Sequence, residues 1–145
     1  MERIVANGGC WVACEPLPIF DILCDFEGWR TWWPAELRVR KVEMAAGITG
    51  SAVHLGARRR KTVCRVEAMD PPHALTLRRT SGPVRGRMLW RLEPQEGGTL
   101  VTLSMDLEIT GFLPRLLAGL TNAQAAEQRR VGQMLHGLKR LAETP

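Results

Sequence analysis

The longest regular feature of the sequence is a one-sided apolar stripe near its end, which predicts a helix from about Phe112 to Glu143. At roughly 100° per residue, Leu113, Leu116, Leu117, Leu120, Val131, Met134, Leu135, Leu138 and Leu141 fall on one side, with Arg115, Asn122, Arg129, His136 and Arg140 opposite. A stripe about eight turns long must lie along a large apolar surface, which the rest of the chain has to supply as a sheet. Gln124 and Glu127 interrupt the stripe between Leu120 and Val131. A buried carboxylate is costly unless it is paired or wet. Either this part of the helix overhangs the sheet into solvent, or it faces an internal space where polar atoms have a task.

Upstream, the period changes. Ile4 to Glu15 reads as a strand with Ile4, Ala6, Cys10, Val12 and Cys14 in one phase, and Gly8-Gly9 would let it bend as a strongly curved sheet requires. Ile19 to Phe26 and Glu27 to Trp33 read as short helical pieces, the second closed by Pro34. Trp29 and Trp33 share a face, and such large side chains call for burial. Six strands then follow: Leu37 to Met44, Ser51 to Ala57, Thr62 to Met69, Ala74 to Thr80, Val84 to Glu93 and Thr99 to Ile109. Turn signals such as Asp70-Pro71-Pro72-His73 and Ser81-Gly82-Pro83 separate them, and links this short make consecutive strands antiparallel.

The last hairpin has a readable register. A four-residue loop from Gln95 to Gly98 sets Pro94 against Thr99, Leu92 against Val101, Trp90 against Leu103 and Met88 against Met105. Its other face then pairs Arg91 with Thr102, Arg87 with Asp106 and Arg85 with Glu108, so apolar partners meet on one side and opposite charges on the other. The preceding hairpin fits less well: pairing Val66 with Leu77 sets Arg65 against Arg78, which a bulge would relieve. The inward faces are rich in methionine, which adapts to irregular shapes. Gly86, in phase with Met88, leaves a space where a side chain would stand.

Length and composition narrow the class. At 145 residues, with 45% hydrophobic and 24% charged content, the chain is an ordinary globular domain, read as one unit over 1–145. No stretch reaches the roughly 18 apolar residues of a membrane span, so stable membrane insertion is not expected. Cys10, Cys14, Cys24 and Cys64 have neither zinc-site spacing nor the density of a disulfide scaffold; reduced thiols in the cytoplasm and no metal are the reading. The net charge of +5 raises nucleic acid as a partner, but the one dense basic run, Arg58 to Lys61, sits between two strands with no interleaved aromatic residue and reads as a solvated hairpin tip. No Ser, His and Asp combination suggests a nucleophilic triad, no glycine-rich loop precedes a helix, and no cofactor is expected.

The order strand, two short helices, six antiparallel strands, long amphipathic helix resembles the helix-grip superfamily. So does the local wording from Cys14-Glu15-Pro16-Leu17-Pro18 to Asp25-Phe26-Glu27-Gly28-Trp29 and Trp32-Trp33-Pro34, and again Leu89-Trp90-Arg91-Leu92-Glu93-Pro94. That superfamily includes START-like lipid carriers and polyketide cyclases and dehydratases. The resemblance implies an α+β helix-grip fold, a curved seven-stranded antiparallel sheet around the C-terminal helix, enclosing a cavity for a hydrophobic ligand. Trp33, Met88, Trp90, Met105, Leu120 and Val131 would then form the wall, with Gln124 and Glu127 as its polar handle.

Three functions follow from the resemblance. The first is binding or carriage of a small hydrophobic molecule, such as a lipid, polyketide or isoprenoid-like compound. The second is cyclase or dehydratase chemistry with Glu127 as acid or base and His54 behind it, although His54 is out of phase with Val53 and Leu55. The third is a surface interaction module like the relatives that stimulate a chaperone ATPase. Both a monomer and a homodimer are open.

Overall fold

The computed structural model describes residues 2–57, 60–109 and 114–145, with side chains at 3–56, 61–109 and 123–145. Strand β1 (Glu2–Val12) is followed by helix α1 (Pro16–Cys24) and by two 3-10 turns, Glu27–Thr31 and Ala35–Leu37. Then come β2 (Val39–Glu43), β3 (Ala52–Ala57), β4 (Arg60–Asp70), β5 (Ala74–Arg79), β6 (Val84–Gln95), β7 (Gly98–Ile109) and helix α2 (Pro114–Glu143). The predicted second helix is thus a 3-10 turn. Helix α2 opens on a proline, which suits a first turn because it leaves no N–H unpaired.

The strands form a seven-stranded antiparallel sheet in the order β1-β7-β6-β5-β4-β3-β2, so β1 and β2 are its edges. Each strand puts alternate residues inward. Ile4, Ala6 and Val12 of β1, Leu75 and Leu77 of β5, Met88, Trp90 and Leu92 of β6, and Val101, Leu103 and Met105 of β7 are buried. Val131, Met134, Leu135 and Leu138 of α2 are buried as well, so the observed helix face is the predicted stripe. Leu141 is a departure, 40% exposed at the end of the helix. Leu113, Leu116, Leu117 and Leu120 lie outside the residues with described side chains, as do Arg58, Arg59 and Arg60 of the basic run.

The β6-β7 register is the predicted one, from Val84 against Ile109 to Gln95 against Gly98. Its turn is shorter than expected: Gln95 and Gly98 pair, leaving a two-residue turn at Glu96-Gly97 in which Gly97 has φ +78. The charge partners differ from those predicted. Arg87 Nε donates to Glu67 Oε2 at 3.1 Å, Asp106 pairs with Arg3, and Arg85 Nε donates to the Gly82 carbonyl at 2.9 Å. The cause is the irregularity in β4 between Val66 and Ala68, which frees Glu67 from a cross-strand position. Arg65 faces Arg78, and Arg78 faces Arg87, making a file of like charges across three strands. Glu67 answers two of the three, since it also lies 3.6 Å from Arg78.

The glycines of β1 do not break the strand: its register against β7 is continuous from Glu2 to Val12. A Cβ on Gly8 would stand 2.8 Å from Val131 Cγ1 and 2.9 Å from Leu135 Cδ1, so this position admits the helix. Helix α2 also covers the β1 edge. Gln124 Nε2 donates to Val5 O at 2.6 Å, and Val5 N–H donates to Gln124 Oε1 at 3.3 Å. One turn on, Gln128 does the same to Asn7, at 2.7 and 3.3 Å. Lys139 then donates to Trp11 O at 2.8 Å, and Glu143 accepts from Ala13 N–H at 2.9 Å. An open edge is a template for unwanted strand pairing, and here side-chain amides occupy it.

Gly86 does not open a space, as its phase suggested. It has φ +144, and a Cβ there would stand 2.2 Å from Asp106 O, in the backbone of the neighbouring strand. Gly86→Ala should therefore lower stability by about 2 kcal/mol or more, as strain and collision combine. Gly47→Ala, where nothing lies within 4 Å, should stay within about 0.5 kcal/mol of the parent. Urea denaturation of both variants checks the contrast, and equal stabilities would refute it.

Candidate functional site

Helix α2 faces the sheet across a seam that, among the described residues, is apolar except for one buried pair of opposite charges. On β5, Arg79 continues the inward phase of Leu75 and Leu77 and is 4% exposed. On α2, Glu127 lies one turn before Val131 on the same buried face and is 2% exposed. The two meet as a fork: Arg79 Nη1 donates to Glu127 Oε1 at 3.1 Å and Nη2 to Oε2 at 2.6 Å. Arg130, three residues along the helix, donates to Glu127 Oε1 from its Nη1. Its Nε donates to Glu36 Oε1 at 3.1 Å, in the second 3-10 turn. A chain of alternating charge thus joins the sheet, the helix and the connecting turns.

Burial alone would push the Glu127 carboxyl up. The adjacent Arg79, then Arg130, outweigh it and hold the group below the ordinary carboxylate range. Glu127 is therefore an anion held by two guanidinium groups, and it neither overhangs the sheet nor meets solvent. Around it the seam is soft and apolar. Arg79 Nη2 lies 3.8 Å from Met105 Sδ, and Cys64 Sγ lies 3.9 Å from Met88 Sδ. Burial, opposed by Arg79 and assisted by Glu127, pushes the Cys64 thiol up to about 11, which leaves it protonated and unreactive at neutral pH.

The predicted site residues are distributed as follows. Met88, Trp90, Met105, Glu127 and Val131 are all buried between sheet and helix. Gln124 spends its amide on the Val5 backbone at the β1 edge. Leu120 lies outside the residues with described side chains. Trp33 stacks on Trp29 at 4.0 Å and forms an aromatic cluster with Trp32, which meets Trp90 edge to face at 6.1 Å. His54 is on the other face of the sheet, its Nε2 2.9 Å from Glu43 Oε1, and is not brought to Glu127.

Arg79 and Arg130 were not singled out from the sequence. The signal for Arg79 was present: in Ala74 to Arg79 it shares the phase of two leucines, as Glu127 shares the phase of the helix stripe. Opposite charges left over on two facing apolar surfaces point at each other.

Over residues 12–143 the sequence matches the family described as polyketide cyclase/dehydrase and lipid transport. Among curated proteins no match is found. Solved structures with this fold include TTHA0849 from Thermus thermophilus, 20% identical with a TM-score of 0.76, covering 97% of this chain and 99% of that one. The Zhui aromatase/cyclase from Streptomyces sp. R1128 is 16% identical with a TM-score of 0.79, covering 98% and 94%. The Aha1 dimer from Colwellia psychrerythraea is 18% identical with a TM-score of 0.64, covering 99% and 97%. At these identities the likeness is one of fold.

Breaking the fork from one side strands a buried charge, so Arg79→Met or Glu127→Leu alone should cost about 3–5 kcal/mol. The double variant should be close to neutral, within about 1–2 kcal/mol. A carboxyl whose folded pKa is depressed adds stability above its unfolded pKa, about 4.3, and gives it up as pH falls through the folded value. Below about pH 4 the parent should therefore lose stability more steeply than the double variant. Thermal melts from pH 7 to pH 3 check both statements, and additive single-site losses would refute the coupling.

Proposed function

The chain belongs to the polyketide cyclase/dehydrase and lipid transport family and has its helix-grip fold, and from that premise we propose that it binds or carries a small hydrophobic molecule between sheet and helix. The ligand class is a lipid, polyketide or isoprenoid-like compound. The observation that carries this reading is the buried Arg79–Glu127 fork in an otherwise apolar seam. For stability alone an apolar pair of similar volume serves as well or better, so the fork supports a task beyond packing. A mostly apolar lining with a few fixed polar groups is the make-up of a small-molecule site. Arg79 has more donors than Glu127 consumes, and these suit a ligand carbonyl or hydroxyl oxygen. The four free thiols, Cys10, Cys14, Cys24 and Cys64, support a cytoplasmic setting.

Cyclase or dehydratase chemistry in the same seam is the second reading, favoured by the shared fold of the Zhui aromatase/cyclase. Glu127 would be its base and His54 its reserve. The geometry supports this less well. A carboxylate held ionised by two guanidinium groups is a weak base and no acid at neutral pH, and His54 faces away from it.

Native mass spectrometry of freshly purified protein tests the first reading. The expected spectrum carries an added apolar mass that organic extraction removes, and the Arg79→Met/Glu127→Leu variant should lose that mass while remaining folded. A bare chain that also fails to take up added fatty acid or polyketide probes would overturn the proposal. The same spectra distinguish a monomer from a homodimer.

A further inference from the structure

On the outer side of the aromatic cluster lies a groove of about 400 Å3. Its floor is Trp32, Trp33 and Pro34, and its wall is the polar side of the last turns of α2, with Gln133, His136 and Arg140. None of these helix residues belongs to the buried stripe, so the groove is separate from the seam that holds Glu127. Trp32, which touches Trp90, is the layer between them. We propose that this groove is a second binding site, for a small molecule that joins a flat apolar body to an anionic group such as a carboxylate.

The floor argues for the flat body. Trp33 is clamped against Trp29 with the rings 6° from parallel, and Trp32 meets Trp33 edge to face at 5.2 Å, so the aromatic surface is fixed before any ligand arrives. Gly137 lets α2 close down on the edge of that floor, and Trp32 and Trp33 reach the groove with 7% of their surface each. A Cβ there would stand 2.5 Å from the Trp32 carbonyl oxygen, so the helix sits directly on the backbone of the floor. The volume lies within the range of small-ligand sites, roughly 300–1,000 Å3.

The wall argues for the anion. Gln133, His136 and Arg140 recur at three- and four-residue steps along one side of the helix, and no Asp or Glu lines the groove among the described residues. The Arg140 guanidinium has no carboxylate partner among the described residues, whereas on the same helix Arg130 has two and Lys139 has one. The indole N–H groups of Trp32 and Trp33 are buried and have no acceptor among the described residues. The wall therefore offers the Gln133 amide and a cation beside an aromatic floor, and a guanidinium pairs with a carboxylate through two parallel hydrogen bonds.

The experiment is a titration of isotope-labelled protein with 2-naphthoate and with the neutral 2-naphthylmethanol, read at the indole N–H resonances. Naphthoate should shift Trp32 and Trp33 saturably, and the alcohol should bind about tenfold more weakly. Arg140 is exposed, so Arg140→Gln should fold and weaken naphthoate binding by about tenfold. Gln133→Trp, which fills the groove from an exposed position, should abolish the saturable shifts. Parent-like affinity in Arg140→Gln, shifts confined to Trp90, or no saturable shift at millimolar naphthoate would overturn the proposal.

Discussion

A carboxylate in an apolar seam survives as an anion only if cations reach it, and the seating of helix α2 depends on that condition. Arg79 reaches Glu127 from the middle of the sheet, two strands from β3 and two from β7. Arg130 reaches it from the helix itself and passes the contact on to Glu36. The apolar stripe brings the helix to the sheet without direction, because area burial has none. The fork supplies the direction, since its two N–H to O contacts are satisfied in one placement only.

The same seam shows why much of this was legible in advance. Strand alternation and the helix stripe are local patterns, and so the β6-β7 register could be read to the residue from where Trp90, Met88 and their partners fall. The irregularity beside Val66 was legible from the pairing of Arg65 with Arg78, but it does not undo that pairing: the two arginines still face each other, and Glu67, freed from the ladder, answers Arg78 and Arg87 instead. What the pattern could not give was choice among long side chains. Arg87 faces Asp106 across the ladder but reaches instead to Glu67, and Asp106 is taken by Arg3. Arginine is long enough to bypass its nearest neighbour, so register fixes backbones before it fixes ion pairs.

Gln124 illustrates the same limit in the site. Its position within the stripe marked it as polar and inward, and both interior and edge were consistent with that. The edge of β1 claims it because Val5 presents an unpaired N–H and C=O at the right height, a demand made by the backbone of a strand more than a hundred residues away in sequence. Glu127, one turn further on, has no such backbone partner and depends on Arg79. Two polar residues that looked alike from the sequence therefore do different work, one at the rim of the sheet and one at its centre.

The two glutamines also set a ruler against the strand. Four helical residues advance about 6.0 Å, and two strand residues about 6.6–6.8 Å, so Gln124 and Gln128 can match Val5 and Asn7 with little error. The scales part company beyond that, as on a vernier, and further along the contact passes to Lys139 and Glu143, whose longer reach absorbs the mismatch. Sliding α2 by one turn, about 5.4 Å, would bring Gln124 near Asn7 but carry Glu127 away from Arg79, so the fork forbids what the amides alone would allow. The seam therefore has a single axial setting, read off jointly by the β1 edge and the fork.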